Sequence, residues 1–432
     1  MVQSSASAIT VPTAATALAA STTPTAINGG RLWQSLMDLA KLGATAKGGV
    51  RRLALTELDR AARDLVVEWL REAGCQIQVD AIGNIFAQRK DMAADPNADA
   101  VAIGSHIDTQ PSGGRFDGTY GVLAGLEVIR SLNDTGSRTQ RPVAVAIWTN
   151  EEGSRFTPVM MGSGVFAQAF SLAHCQLQQD RDGISVAQAL HDIGYLGAAK
   201  APRFAAYFEP HIEQGPVLER DACTIGVVEG ALGQRWFDVL VSGQDAHAGP
   251  TPIDMRKDAL LAAAKMVVQV RRIADQYPNY ARATVGQLNV APNSRNVIPG
   301  RVDFTIDLRN ANDDTLNAMA ADIQACAERI AQSDGVGIEL KQVVYFPPCH
   351  FDVEQVNAIE RFAKRRRYAT QRLASGAGHD AVYVARTCPS AMIFIPCEGG
   401  ISHNEIENAQ PSDVEAGCNV LLDCVLAQAQ SA

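Results

Sequence analysis

The stretch AVAIGSHID, residues 100–108, decides the fold of this 432-residue chain. Its first seven residues form a largely apolar run that ends on a histidine, the pattern of a buried strand. Residues 121–132 follow with helical spacing, and VAVAIW, residues 143–148, reads as a second buried strand. Strand, helix and strand in that rhythm predict an α/β fold on a mostly parallel, mixed sheet. Ligands of such sheets gather beyond the carboxyl ends of the strands. His106 closes the first strand and Glu151-Glu152 lie just past the second, so both fall where a site is expected.

Outward from this unit, ordered structure is predicted to begin near Ile27. Helical spacing covers 31–40, and a second helix covers 56–73, capped by Thr56 and closed by Gly74. Cys75–Val79 and Ile85–Gln88 read as short strands around a turn. After residue 223 the rhythm changes. Strand 233–242, helix 258–273, strands 283–290 and 302–308, helix 313–330 and strand 336–344 spell β-α-β-β-α-β, the split βαβ unit. From 346 the α/β character resumes, with a helix over 353–365, a strand over 391–395 and a helix over 411–428. The expectation is a large catalytic domain from 27–223 and 346–432, interrupted by a smaller ferredoxin-like α+β domain over 224–345. Residues 1–26, mostly Ala, Ser and Thr without a charged side chain, predict a disordered or loosely packed tail.

Composition narrows the function. Apolar residues make up 47% and charged residues 20%, ordinary for a soluble globular protein. A net charge of −9 argues against a broad basic surface for nucleic acid, yet a few arginines suffice for one carboxylate. No apolar run is long enough to span a membrane, and the amino-terminal segment lacks the basic start of an export signal. Nine cysteines, an odd count without a CxxC, read as reduced thiols in the cytosol with no catalytic role. A cytoplasmic location is therefore expected.

Five of the eight histidines sit in short, glycine-flanked polar clusters. GSHIDT, residues 104–109, places His106 beside Asp108, a natural partner for its second ring nitrogen. In GGRFDG, residues 113–118, glycines let the backbone crowd close, and the two oxygens of Asp117 suit a bridge between ions. In TNEEG, residues 149–153, two adjacent carboxylates end an apolar strand, where they repel and resist burial unless cations offset them. One of the pair can ligate while the other acts as general base. EPHIEQGP (209–216), GAGHD (376–380) and GGISHNE (399–405) add His211, His379 and His403. Any one of these fits a turn or a core histidine. Together they supply the imidazoles and carboxylates of a two-metal hydrolase centre.

Their joint order resembles the metal-dependent amidohydrolases of the M20 peptidase superfamily. Within it the match is to the hydantoinase/carbamoylase branch: N-carbamoyl-amino-acid hydrolases, β-ureidopropionases and allantoate amidohydrolases. The resemblance runs from about residue 27 to the carboxyl terminus. HIEQG, residues 211–215, is the piece particular to this branch, because peptidase relatives usually place a carboxylate ligand there. The stretch from Trp236 through GQDAHAG, residues 243–249, to Pro252 is also typical of it.

The resemblance implies roles residue by residue. His106, Asp117 and His211 hold one metal; Asp117, Glu152 and His403 hold the second. Glu151 is the general base, and His247, in a loop that could project into the cleft, stabilises an oxyanion. Gln214, His247, Asn296, Arg309, Gly378 and His379 match positions that contact substrate. Arg309 suits bidentate capture of a carboxylate, although nearby Asp307 offers it an ion pair and Arg295 competes for the same task. Thr119 and Gln168 stand where the family leads one to expect Asn and Gly; neither is a ligand. His174, His191 and His350 receive no role.

The implied cofactor is two divalent ions per subunit, zinc first, with manganese, cobalt and nickel accepted by the same donors. The implied reaction is hydrolysis of the ureido or amide C–N bond of N-carbamoyl-β-alanine or an N-carbamoyl-L-α-amino acid, giving the amino acid, carbon dioxide and ammonia. Allantoate is the alternative substrate; a dipeptidase or a metal-free binding protein is more distant. The inserted domain is expected to act as a lid that brings Asn296 and Arg309 to the substrate. It is also expected to pair two chains into a homodimer, with His247 and Asn296 of one subunit reaching the other's site.

Overall fold

A nine-stranded mixed sheet carries the larger core of the chain, whose computed structural model describes residues 26–90, 95, 97–277 and 279–430. The tail reading of residues 1–25 lies outside the described residues. Across the sheet run Cys75–Val79, Ile85–Arg89, Val143–Trp148, Ala100–His106, Phe204–Ile212, Ser390–Ile395, Ile225–Ala231 and Cys349–His350, with Thr370–Ser375 also paired to Ile225–Ala231. The four strands from Val143–Trp148 to Ser390–Ile395 are mutually parallel. Antiparallel pairs flank them. Ala100–His106 and Val143–Trp148 are buried along their whole length, so their unbroken apolar runs are what both-face burial demands.

Helices cover this sheet. Thr119–Asp134 packs on Ala100–His106, and Pro411–Ala429 packs beside it. Glu57–Glu72 begins as its sequence predicts, with the Thr56 side chain accepting from the Asp59 amide.

Several strands depart from expectation. Phe204–Ile212 is a central strand although Glu209, Pro210 and His211 interrupt its apolar pattern. The Glu209 carboxylate is accommodated because Ser105 Oγ (2.7 Å), the Ala381 amide (2.7 Å) and Tyr207 Oη (3.3 Å) all donate to it. Ile225–Ala231 lies in the large sheet, although the expected inserted segment began at 224; its pairing with Ser390–Ile395 and Thr370–Ser375 draws it there.

The second sheet runs Leu288–Ala291, Arg301–Asn310, Gly233–Ser242 and Gly337–Phe346, with Arg282–Thr284 also paired to Arg301–Asn310. The expected strand over 283–290 is thus two short pieces. Burial along Arg301–Asn310 alternates residue by residue, the period of a strand with one face in a core. Phe304, Ile306 and Leu308 join Phe237, Val239 and Val241 beneath the helices Ala259–Gln276 and Asp313–Asp334. Trp236, Asp307 and Arg309 occupy the opposite face, which borders the cleft described below. Ala246–His247 and Val297–Ile298 form a separate two-stranded ribbon. Among the described residues no helix is long and apolar enough to cross a membrane. All nine cysteines are free thiols.

Candidate metal centre

Sequence-distant loops meet at the carboxyl ends of the parallel strands. His106 ends Ala100–His106, His211 comes from Phe204–Ile212, and Asp117 sits in the turn before Thr119–Asp134. Asp117 Oδ1 lies 3.2 Å from His211 Nε2 and 3.7 Å from His106 Nε2. Its other oxygen lies 3.5 Å from His403 Nε2, which is itself 3.5 Å from Glu152 Oε2. Donor atoms of His106, Asp117 and His211 therefore cluster within 4.8 Å, as do those of Asp117, Glu152 and His403. Asp117 is common to both groups. Glu151 reaches in beside them, its Oε2 at 3.5 Å from His106 Nε2.

Backbone carbonyls orient the two buried imidazoles. His106 Nδ1 is 2.9 Å from the Asp108 oxygen and His211 Nδ1 is 2.9 Å from the Ile212 oxygen. A carbonyl only accepts, so each Nδ1 carries the proton and each Nε2 presents a lone pair to the centre. The sequence pointed to the Asp108 side chain for this task. The structure assigns it to the Asp108 carbonyl, while the carboxylate accepts from the amides of Glu151 and Glu152, both at 3.3 Å. Space is also regulated. Gly118 has φ 63°, and a Cβ there would sit 2.4 Å from the His106 ring. Its amide donates to His211 Nε2 at 3.1 Å, a contact that a cation at that nitrogen has to displace.

The electrostatics call for positive charge. Burial first, then the neighbouring carboxylates Asp380, Glu152 and Asp117, hold Glu151 well above the usual carboxylate range. Burial, then Asp117 and Asp108, do the same to Glu152. Burial pushes Asp108 up to about 7. Asp117 is the exception: burial opposes its charge, but bonding to His211 and the imidazoles of His211, His106 and His403 hold it low. Burial pulls His106 down to about 4, which keeps its imidazole neutral. For His211, burial is outweighed by the Asp117 carboxylate and the shift is upward. Imidazole nitrogens facing crowded, buried carboxylates form a donor set that fits divalent cations.

Several supporting residues carried no sequence signal. Gln110 donates to both oxygens of Glu152, through its amide to Oε1 (3.0 Å) and its side chain to Oε2 (2.7 Å). Glu407 is buried and accepts from the amides of Phe116 (3.0 Å) and Asp117 (3.1 Å) and from Ser402 Oγ (2.8 Å). Ser402 Oγ is also 3.2 Å from Asp117 Oδ2. Glu407 thus ties the Asp117 turn to the His403 loop across 290 residues.

A cleft of about 410 Å³ opens on the centre. His106, Gln110, Asp117, Glu151, Glu152 and His403 line its floor; Trp236, Arg309 and Phe346 come from the smaller sheet. Gln214, Gly378 and His379 line it as well. Gln214 Nε2 donates to Asp117 Oδ2 at 3.0 Å, and its Oε1 is buried without a partner among the described residues. Burial and His211 hold His379 well below its usual range, and its Nε2 meets Ser375 Oγ at 2.9 Å. Arg309 lines the cleft while paired with Asp307 (2.9 Å) and donating to the Gly376 carbonyl (2.7 Å). His247 and Asn296 do not line this cleft. They lie exposed on or beside the two-stranded ribbon, with His247 opposite Val297, and Arg295 is exposed there too. Thr119 is buried, its hydroxyl donating to the Arg115 carbonyl (2.6 Å). Gln168 has φ 57°, a left-handed turn where glycine costs least, which accounts for the glycine expected there.

Two donor groups sharing one carboxylate, set at the carboxyl ends of a parallel sheet beside a buried glutamate, define a candidate two-cation hydrolase centre. The model of peptidase family M20/M25/M40 matches residues 102–427. The chain is 44% identical over 406 residues to an N-carbamoyl-L-amino-acid amidohydrolase of Rhizobium meliloti, covering 94% of this chain and 97% of that one. It is 33% identical over 390 residues to the allantoate amidohydrolase of Bacillus subtilis (strain 168), covering 89% and 94%. A solved hydantoinase/carbamoylase family amidase from Burkholderia multivorans superposes with a TM-score of 0.91 at 52% identity, over 94% of this chain and 99% of that one. The chain belongs to peptidase family M20/M25/M40. Within that family it falls among the hydantoinase/carbamoylase amidases.

Proposed function

We propose that this protein hydrolyses the ureido C–N bond of N-carbamoyl amino acids, L-α-amino acids foremost, releasing the free amino acid, carbon dioxide and ammonia. The observation that carries the reading is Asp117, whose two oxygens each face a separate donor group next to Glu151. His106, Asp117 and His211 would hold one divalent cation, zinc foremost, and Asp117, Glu152 and His403 a second. When bound, such cations polarise a carbonyl oxygen and lower the pKa of water towards neutrality.

The chain's own groups do the rest. Glu151 takes a proton from the attacking water at its carboxylate and returns it to the departing nitrogen. Its burial among other carboxylates raises its proton affinity, which suits both halves of that exchange. The new C–O bond forms first and the C–N bond to the amino acid nitrogen then breaks, freeing the amino acid and leaving carbamic acid, which falls apart into carbon dioxide and ammonia. The buried Oε1 of Gln214 is placed to accept from a substrate N–H. Arg309 lies on the cleft wall, where its guanidinium suits the substrate carboxylate once Asp307 shares it.

The larger and smaller sheets correspond to a catalytic domain and an inserted lid. The exposed setting of His247 and Asn296, away from their own chain's cleft, supports a homodimer in which they serve the neighbouring subunit. Nine free thiols suit a cytoplasmic enzyme. A second reading keeps the chemistry and substitutes allantoate, supported by the 33% identical Bacillus subtilis relative. Ammonia release from N-carbamoyl-L-amino acids, N-carbamoyl-β-alanine, allantoate and a dipeptide, each with chelator and with added divalent metal, tests the reading. Metal-dependent turnover of the first group supports it; turnover of the dipeptide alone overturns it.

A further inference from the structure

A second cleft, about 640 Å³, opens on the same centre and shares Gln214, Arg309 and His403 with the first. Arg282 and Arg309 both line it. They are direct partners in the antiparallel pairing of Arg282–Thr284 with Arg301–Asn310, so both side chains project from one face. Like charges directly opposite one another on a sheet are destabilising. Asp307 on the same face offsets one of them, bonded to Arg309 at 2.9 Å. Arg282 donates to the neighbouring Ala281 carbonyl at 3.0 Å and has no carboxylate partner among the described residues. The other charged groups lining this cleft are committed elsewhere. Glu213 accepts from the amides of Val217 (2.9 Å) and Leu218 (2.8 Å). Arg372 is paired with Glu360 and with Glu229 (3.1 Å). Arg282 and Arg309 thus have one carboxylate, Asp307, between them, which leaves the Arg282 guanidinium free to meet a second.

We propose that Arg282 is a substrate-binding residue: with Arg309 it forms a two-guanidinium clamp that holds the free carboxylate of the substrate. Asp307 keeps Arg309 aimed, and Arg282 supplies the charge that Asp307 cancels. The clamp rests on the reading of the substrate as a carboxylic acid, and it makes a free carboxylate a source of affinity that the carboxamide lacks.

The test is calorimetric titration of metal-loaded Glu151→Gln protein with N-carbamoyl-L-leucine and with its carboxamide. A hydrogen bond to a charged group is worth enough that Arg282→Met should weaken binding of the acid about tenfold or more. Binding of the carboxamide should stay within about twofold, and Arg282→Lys should recover part of the loss, since it restores charge without the bidentate fork. Equal weakening of acid and carboxamide, or no weakening of either, overturns the clamp. Turnover by the otherwise unaltered enzyme is measured separately. Binding that follows this pattern without any ammonia release refutes the proposed reaction and leaves the clamp standing.

Discussion

Replacing Glu407 offers a sharp test of how the centre is held together. Its carboxylate accepts from two buried amides, those of Phe116 and Asp117, and from Ser402 Oγ. Glu407→Ala orphans both amides in a buried setting, each at a cost of about 1–3 kcal/mol, so folding stability should drop by about 2–6 kcal/mol. Glu407→Gln keeps one carbonyl oxygen for the two amides. Ser402 can then turn its hydroxyl to Asp117 Oδ2, already 3.2 Å away, so this variant should lose far less. The metal consequence follows from the same contacts. With the Asp117 turn released, divalent cation affinity in Glu407→Ala should fall by about 10–100-fold, the usual range for groups that orient ligands. Urea unfolding of metal-free protein measures the first effect, and competition with a chromophoric chelator measures the second. If the alanine variant kept its stability to within about 1 kcal/mol and its metal affinity unchanged, the anchoring role of Glu407 would be refuted.

Other consequences reach different parts of the centre. Gln110→Ala removes the donors to Glu152 Oε2 but leaves the backbone amide on Oε1, so it should weaken one cation site by about tenfold and spare the other; stepwise metal titration resolves the two. Metal-free protein should lose stability from pH 5.5 to 8. Asp108 and Glu407 each have folded values raised to about 7, so their contribution is present at low pH and is lost as pH rises through that value. His106, lowered to about 4, acts oppositely below its unfolded value of about 6.5 and offsets only part of that loss, so thermal melts should fall steadily towards neutral pH and a flat profile would contradict this. Glu151→Gln and His247→Ala chains, each inactive alone, should regain about a quarter of wild-type activity when mixed and refolded together, by random pairing into dimers. Absence of recovery in a preparation that is dimeric by sedimentation would count against shared sites.

The parallel heart of the fold was legible because its strands are buried on both faces. Ala100–His106 and Val143–Trp148 need no polar partner along their length, so an unbroken apolar run announces them. Phe204–Ile212 was hidden because Glu209 and His211 break that run, and what makes them tolerable comes from Ser105, Ala381 and Asp117. Ile225–Ala231 looked like the start of the inserted segment because its pairing partners lie some 150 residues away, beyond the reach of local pattern. The residues of the candidate centre were legible as short motifs that keep their order along the chain. Gln110 and Glu407 were not, since one glutamine and one glutamate acquire meaning only from the carboxylate and amides they meet. The Asp108 carbonyl shows the same limit at atomic scale: sequence names the neighbour, and only backbone geometry decides which of its oxygens takes the imidazole proton. His247 and Asn296 stay outside the cleft of their own chain, which is why a place between subunits is proposed for them.

In the proposed centre Asp117 serves two cation sites at once. Metal content per chain after equilibrium dialysis tests it most directly, comparing wild type, His403→Ala and Asp117→Ala. Two ions are expected in the wild type, one in His403→Ala, and fewer than one in Asp117→Ala. Two ions retained without Asp117, or none bound by the wild type, would contradict it.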